Sequence, residues 1–353
     1  MTIALDATYS LGRNLSGVGV YSREILFGLA RAHPDQRFKY YYRPHRLLRS
    51  FKEPIPGNAS RRLLTGVPRA ELFHALNQRV VYRAKRTVST FHDLFVMSGE
   101  YSTQDFRARF TQQAKDAAER SDLIIAVSQF TADQVESLLK VERSRIRVVH
   151  HGVHVPAVLP QAPRENIILF VGAIQARKNI VRLVKAFERM GTHGEIWRLI
   201  LAGATDGFGS AEALAAIAVS PKRSNIDVLG YVSSEQLEAL YARASIFAFP
   251  SLDEGFGMPV LDAMARGVPV LTSSSSALPE VAGDAALRVD PTRMEGIAMA
   301  LSLLANDQEL REDLARRGHA RAAEFSWDRA VASTWAAYQE CAGKVPGGQH
   351  PRV

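Results

Sequence analysis

Cysteine is nearly absent: Cys341 is the one such residue in 353. No internal disulfide can form, which suits a reducing compartment. Long apolar runs are missing as well. The longest stretches, such as Ile167 to Ile174, fall far short of the ~20 residues a membrane-spanning helix needs. No basic segment followed by an apolar one opens the chain, so no signal peptide is expected. Acids are scarce in one region. Residues 37–86 hold 13 Lys/Arg against only Glu53 and Glu71. His150, His151 and His154 cluster without a nearby Cys or acid. Adjacent residues on an extended segment point to opposite faces, so neither a zinc site nor any other metal is expected.

Hydrophobic residues make up 46% of the chain, enough for a globular protein, and the length allows two domains. The net charge of +8 is unevenly placed. Residues 1–158 hold 24 basic and 14 acidic residues, a net +10, whereas 159–353 hold 20 and 22, a net −2. The excess is therefore local to 37–86. Such a block suits an anionic lipid surface or an anionic substrate, with a solvated face as the plain alternative. No nucleic-acid-binding motif lies within it, so no nucleic-acid partner is expected.

Apolar periodicity divides the chain into two strand–helix series. The first starts with a strand at Ile3 to Leu5, a loop, and Ser16-Gly17-Val18-Gly19, read as a glycine turn before a helix. The third glycine of a dinucleotide fingerprint is missing. Phe38 to Tyr42 reads as strand, and 43–70, broken by four prolines, as loop with short helices. Arg86 to Phe91 is a strand ending at His92, which places this histidine at the sheet edge where open α/β sheets bind ligands. Pro156, Pro160 and Pro163 mark a linker at 155–165. A second series follows, and a final helix, 327–341, carries Trp327, Val331, Trp335 and Tyr338 at helical spacing. The expected fold is α/β: two Rossmann-like doubly wound domains, 1–158 and 159–326, facing across a cleft, with helix 327–341 returning to the first.

The chemistry concentrates between Ile246 and Ser276. A buried strand leads into a loop with Gly255 and Gly257. Pro259 is placed as the first residue of a helix, Gly267 ends that helix in a left-handed cap, and another strand follows. Helix starts of this kind suit a phosphate or carboxylate. Glu254 and Asp262 frame the turn. Either acid could hold a ribose diol, and Arg177-Lys178, after another strand and glycine turn, could neutralise a diphosphate. Together these describe a site for a nucleoside diphosphate carrying another group.

The run Leu252 to Val270 resembles the signature of the large retaining glycosyltransferase family of the GT-B fold, family 4, with its many mannosyl and related transferases. The resemblance extends over nearly the whole chain, through Phe91-His92-Asp93-Leu94, His151-Gly152-Val153, Arg177-Lys178-Asn179 and Leu229-Gly230-Tyr231-Val232. It implies that Glu254 meets the donor sugar at the reaction centre and that His92 contacts the transferred sugar. It implies that Asp262, where the family usually has Glu, holds the ribose. Arg177 and Lys178 would hold the diphosphate, and Ala173 stands where many members carry a further arginine. Gly17 and Gly19 would approach the donor phosphates, as would Gly255, Phe256, Gly257 and the amides of Met258, Pro259 and Val260. The backbone at Val232 would read the base. No cofactor is implied.

The expected activity is transfer of a sugar from a nucleotide-sugar donor, leaning to GDP-mannose or a related GDP-sugar, to a glycan or lipid-linked acceptor in bacterial polysaccharide or lipopolysaccharide assembly. The expected location is cytoplasmic, with 37–86 a candidate for peripheral contact with the inner face of an anionic membrane. A glycosidase and a non-catalytic nucleotide-sugar-binding protein are the competing classes.

Overall fold

Ile3, Ala4 and Leu5 have no solvent exposure in the first strand, and the other interior strands repeat this pattern. Runs buried on both faces are what a parallel sheet covered by helices on each side demands. The computed structural model describes residues 2–12, 14–159 and 163–343.

The chain divides into two compact units. The first comprises Met1–Met97, Gln104–Gly152 and Trp327–Val353, and the second Ser98–Thr103 and Val153–Ser326. In chain order the first holds β1 (Thr2–Asp6), α1 (Gly17–Ala32), β2 (Arg37–Tyr42), α2 (Pro44–Ser50), β3 (Ala59–Leu63), β4 (Leu72–Ala75), β5 (Thr87–Phe91), α3 (Phe95–Ser98, whose last residue falls in the second unit), α4 (Gln104–Arg120), β6 (Leu123–Ala126), α5 (Gln129–Leu139) and β7 (Ile146–Val148). Its seven strands are all parallel, in the order β3-β2-β1-β4-β5-β6-β7. The strand order reverses between β1 and β4, which opens a crevice at their carboxyl ends.

The second unit holds β8 (Glu165–Val171), α6 (Ile180–Arg189), β9 (Arg198–Ala202), α7 (Ser210–Ala218), β10 (Ile226–Gly230), α8 (Ser234–Arg243), β11 (Ala244–Phe249), α9 (Met258–Ala265), β12 (Val270–Ser273), α10 (Leu278–Ala282), β13 (Leu287–Val289), α11 (Met294–Asn306) and α12 (Gln308–Ala322). Its six parallel strands run β10-β9-β8-β11-β12-β13, so the switch lies between β8 and β11. Both units are Rossmann-like and doubly wound.

The last helix, α13 (Trp327–Gly343), packs on the first unit. Trp335 stacks on His33 at the end of α1, ring centroids 3.7 Å apart. A Cβ at Gly28 would lie 2.4 Å from Val331 Cγ2, so only glycine lets α1 and α13 approach this closely. The Tyr338 hydroxyl meets His74 Nδ1 at 2.6 Å, and His74 Nε2 meets Thr90 Oγ1 at 2.8 Å.

Three local expectations change. Residues 43–70 hold a strand as well as a helix: β3 pairs with β2 from Phe38↔Ala59 to Tyr42↔Leu63. The prolines fall outside this strand, which leaves its ladder intact. Gly17 and Gly19 do not form a loop before a helix; they are its first turn, with the Ser16 hydroxyl accepting from the Gly19 N–H. A Cβ at Gly19 would sit 2.9 Å from the Tyr9 carbonyl oxygen, so this glycine serves close packing. Pro259 is the second helical residue of α9, not the first. Of the expected linker, Pro160 lies outside the described residues.

Candidate active site

The loops that follow β8 and β11 leave the sheet of the second unit on either side of its switch point. They are tied together at several points. Leu252 N–H donates to the Arg177 carbonyl at 2.8 Å, and Ser251 Oγ lies 3.0 Å from the same oxygen. Asn179, in the left-handed conformation that asparagine tolerates, donates its amide to the carbonyls of Pro250 and Pro291. Arg177 and Lys178 ride on a single 3₁₀ turn, Ala176–Lys178, that this stitching fixes.

Glu254 is buried between them. Arg177 Nη1 lies 2.8 Å from Glu254 Oε1, Ser251 Oγ donates to the same oxygen at 2.6 Å, and Lys178 Nζ donates to it at close range. Two hydrogen bonds and an ion pair converge on Oε1. Among the described residues no hydrogen bond is made to Oε2. Lys178 is itself buried, its ammonium 4.5 Å from the centre of the Phe249 ring. Burial alone would raise the Glu254 carboxyl pKa. The charges of Arg177 and Lys178, with hydrogen bonds from Lys178 and Ser251, outweigh it and hold the pKa at about 2. Glu254 is therefore a carboxylate at neutral pH, with one oxygen anchored and one available.

Helix α9 starts directly after this turn. Its N-cap, Gly257, has φ +105°, and a Cβ there would meet Leu278 Cδ2 at 2.6 Å. Glycine is required on both counts. Gly255 and Phe256 are buried, and Phe256 packs edge-on against Phe325 with centroids 6.0 Å apart. Of the three residues expected to offer amides, Pro259 has none and Val260 donates its N–H to the Gly257 carbonyl, which leaves Met258. Asp262, one turn into the helix, pairs with Arg266 at 3.2 Å, and Arg266 also pairs with Glu238. The Asp262 side chain keeps 37% exposure. Val232 is half-buried in the turn between β10 and α8.

In the first unit, His92 follows β5 and its Nε2 lies 2.9 Å from the Leu76 carbonyl, beyond the end of β4. A carbonyl only accepts, so in the neutral ring Nε2 carries the proton and Nδ1 is the acceptor. Burial pushes the His92 pKa down to about 4. The ring lies nearly parallel to His151 at 5.4 Å and meets Tyr21 edge-on at 4.8 Å.

A family model described as "Glycosyltransferase Family 4" matches residues 15–155, and one described as "Glycosyl transferases group 1" matches residues 156–321. The chain belongs to glycosyltransferase family 4. It is 29% identical to "O-antigen chain mannosyltransferase B" of Escherichia coli, over 94% of this chain and 98% of that one. It is 29% identical to "MMP alpha-(1->4)-mannosyltransferase" of Mycolicibacterium hassiacum over 67% of this chain and 58% of the relative. Among solved structures it resembles sucrose-phosphate synthase from Thermosynechococcus elongatus, with TM-score 0.76, 20% identity, and 96% of this chain and 98% of that one covered. It also resembles Anabaena Alr3699/HepE in complex with UDP and glucose, with TM-score 0.71, 15% identity, and 96% and 99% covered. These neighbours share the GT-B fold.

Within this glycosyltransferase, the structure brings Glu254, Arg177 and Lys178 into one cluster and leaves Asp262 on a separate pair with Arg266. Two members of the cluster's framework carried no role in the sequence reading. Ser251 stands three residues before Glu254, a spacing that lets a hydroxyl reach back across a tight turn. Asn179 directly follows Arg177-Lys178, and asparagine is a common choice where a helix begins from a left-handed residue.

Proposed function

We propose that this glycosyltransferase transfers mannose, or a related sugar, from a GDP-linked donor to a glycan or lipid-linked acceptor, with retention of anomeric configuration. The observation that carries this reading is the one-sided anchoring of Glu254. A carboxylate whose Oε1 holds two cations, and whose Oε2 is left for a ligand, can face the positive charge that develops on a sugar as its bond to phosphate breaks. The adjacent cations can share their charge with the departing diphosphate. Glu254 is already ionised and cannot act as a proton donor, so a glycosidase would need a second carboxylic acid for that role.

In the proposed reaction the bond from C1 of the sugar to the diphosphate oxygen breaks and a bond from C1 to an acceptor oxygen forms on the same face. The acceptor hydroxyl proton passes to the leaving phosphate. Asp262, still accessible, would receive the ribose hydroxyls, and the Met258 amide with the α9 dipole would face phosphate. The turn at Val232 would meet the base, and Gly17 and Gly19 would admit the donor close to the start of α1. His92, neutral, would offer hydrogen bonding to the sugar without adding charge. The mannosyltransferase relatives support mannose as the sugar, and their O-antigen role supports an acceptor in bacterial polysaccharide assembly. No helix among the described residues is long and apolar enough to cross a membrane.

A thermal-shift panel of UDP-, GDP-, ADP- and dTDP-sugars tests the donor. A ligand that binds the native state raises the melting temperature by mass action. GDP-mannose is expected to give the largest shift; a larger shift with another nucleotide would reject the GDP assignment.

A further inference from the structure

Within the first unit, a cavity of about 760 Å³ opens between the loop after β1 and helix α2. It lies at the carboxyl edge of the sheet, where open α/β folds place their ligands. Arg23, Arg46, Arg49, Lys52 and Glu53 line it, together with Gly12. The one acid is already satisfied: Glu53 Oε2 pairs with Arg23 at 2.8 Å, and Oε1 accepts the Gly12 N–H at 2.7 Å. Arg46, Arg49 and Lys52 have no acidic partner within 4 Å among the described residues. Gly12 has φ +119°, and a Cβ there would come within 3.2 Å of Arg49 Nη2. The bare glycine thus lets the guanidinium lie against the loop backbone.

We propose that this cavity binds a phosphate or diphosphate group, the anionic part of the acceptor. Three uncompensated cations match a multiply charged phosphate better than a single carboxylate, and guanidinium forks fit phosphate oxygens bidentately. The volume exceeds what one phosphate fills and leaves room for the group attached to it. Leu48 and Phe51, on and just after the same helix, are 82% and 64% exposed. Neither lines the cavity, but both add exposed apolar surface to the segment that carries its cations. The assignment to the acceptor rests on the sugar-transfer reading; the anion site does not.

Hydrogen exchange of the full chain tests it, read on the peptide spanning residues 44–53. Inorganic pyrophosphate is expected to slow exchange there by at least about threefold. Arg46→Glu/Arg49→Glu, and separately Lys52→Gln, are expected to abolish or weaken that protection while leaving any effect near 172–178 in place. Vesicles of phosphatidylglycerol or of phosphatidylcholine distinguish the source of the phosphate. Protection by pyrophosphate marks a discrete ligand, and protection by phosphatidylglycerol alone marks a lipid headgroup. No protection by either probe, or equal protection in the double variant, overturns the proposal. The thermal shift with GDP, measured alongside, reports on the sugar-transfer reading alone, so the two can fail separately.

Discussion

Lys178 and Glu254 form a buried ion pair in which the ammonium binds Oε1 and leaves Oε2 unanchored. Removing one member leaves the other charged and buried without compensation. Glu254→Ala is expected to lower stability by about 3–5 kcal/mol and the rate of sugar transfer by roughly 10²–10³-fold. Chemical denaturation and a transfer assay check the two effects. Glu254→Gln keeps the shape and separates loss of charge from loss of packing.

Ser251 contributes through Glu254. Its hydroxyl makes one of two hydrogen bonds to Oε1, and hydrogen bonds to charged groups contribute about 1.5–3 kcal/mol. Ser251→Ala is expected to raise the Glu254 carboxyl pKa and move the acid limb of the rate profile to higher pH. Ser251→Thr, which keeps the hydroxyl, is expected to restore it.

Stability against pH follows from groups in both units. The Glu254 pKa is depressed to about 2, so its contribution is complete above the ordinary carboxylate value near 4.5 and disappears as pH falls towards 2. His92 and His74 are buried in neutral form, with pKa values pushed down to about 4 and about 3. Each contributes fully above 6.5 and loses its contribution as pH falls through the folded value, because the unfolded state takes up the proton first. Denaturation free energies should decline from about pH 6.5 downward, by roughly 3 kcal/mol for His92 alone. His92→Gln should flatten that limb.

Gly257→Ala meets both an unfavourable φ and the Leu278 side chain. A loss of about 1–3 kcal/mol is expected, read by urea denaturation. Nucleotide binding should weaken with it, because α9 begins at this residue.

Asp262→Ala tests the ribose assignment. Affinity for GDP is expected to fall about tenfold, while affinity for 2′,3′-dideoxy-GDP stays nearly unchanged, both by calorimetry. Equal losses for the two nucleotides would place the effect on the Arg266 pair.

Much of this was legible from residue patterns because the strands are buried on both faces and read as plain apolar runs. The Glu254 turn was recognisable from its glycines and its acid. Strand β3 was not, since Ala59-Ser-Arg-Arg-Leu63 is an edge strand with half-exposed residues and no apolar run. The Gly17–Gly19 segment was misread because glycine favours turns, whereas here close packing against Tyr9 requires it inside a helix. The partner of Glu254 was invisible for a different reason. Arg177 and Lys178 lie 77 and 76 residues away in sequence, and only the adjacency of β8 and β11 brings them to its carboxylate. Their expected role, binding diphosphate, is therefore shared with a carboxylate that the chain itself supplies.

The most direct measurement follows GDP-mannose consumption by time-resolved proton NMR, with water or a glycan as acceptor, for the wild-type protein and for folded Glu254→Ala. The wild type is expected to release a product whose anomeric proton first appears in the α configuration of the donor, and the variant to consume donor at least about a hundredfold more slowly. A β product at the earliest times, or a folded variant that consumes donor at the wild-type rate, would contradict the account.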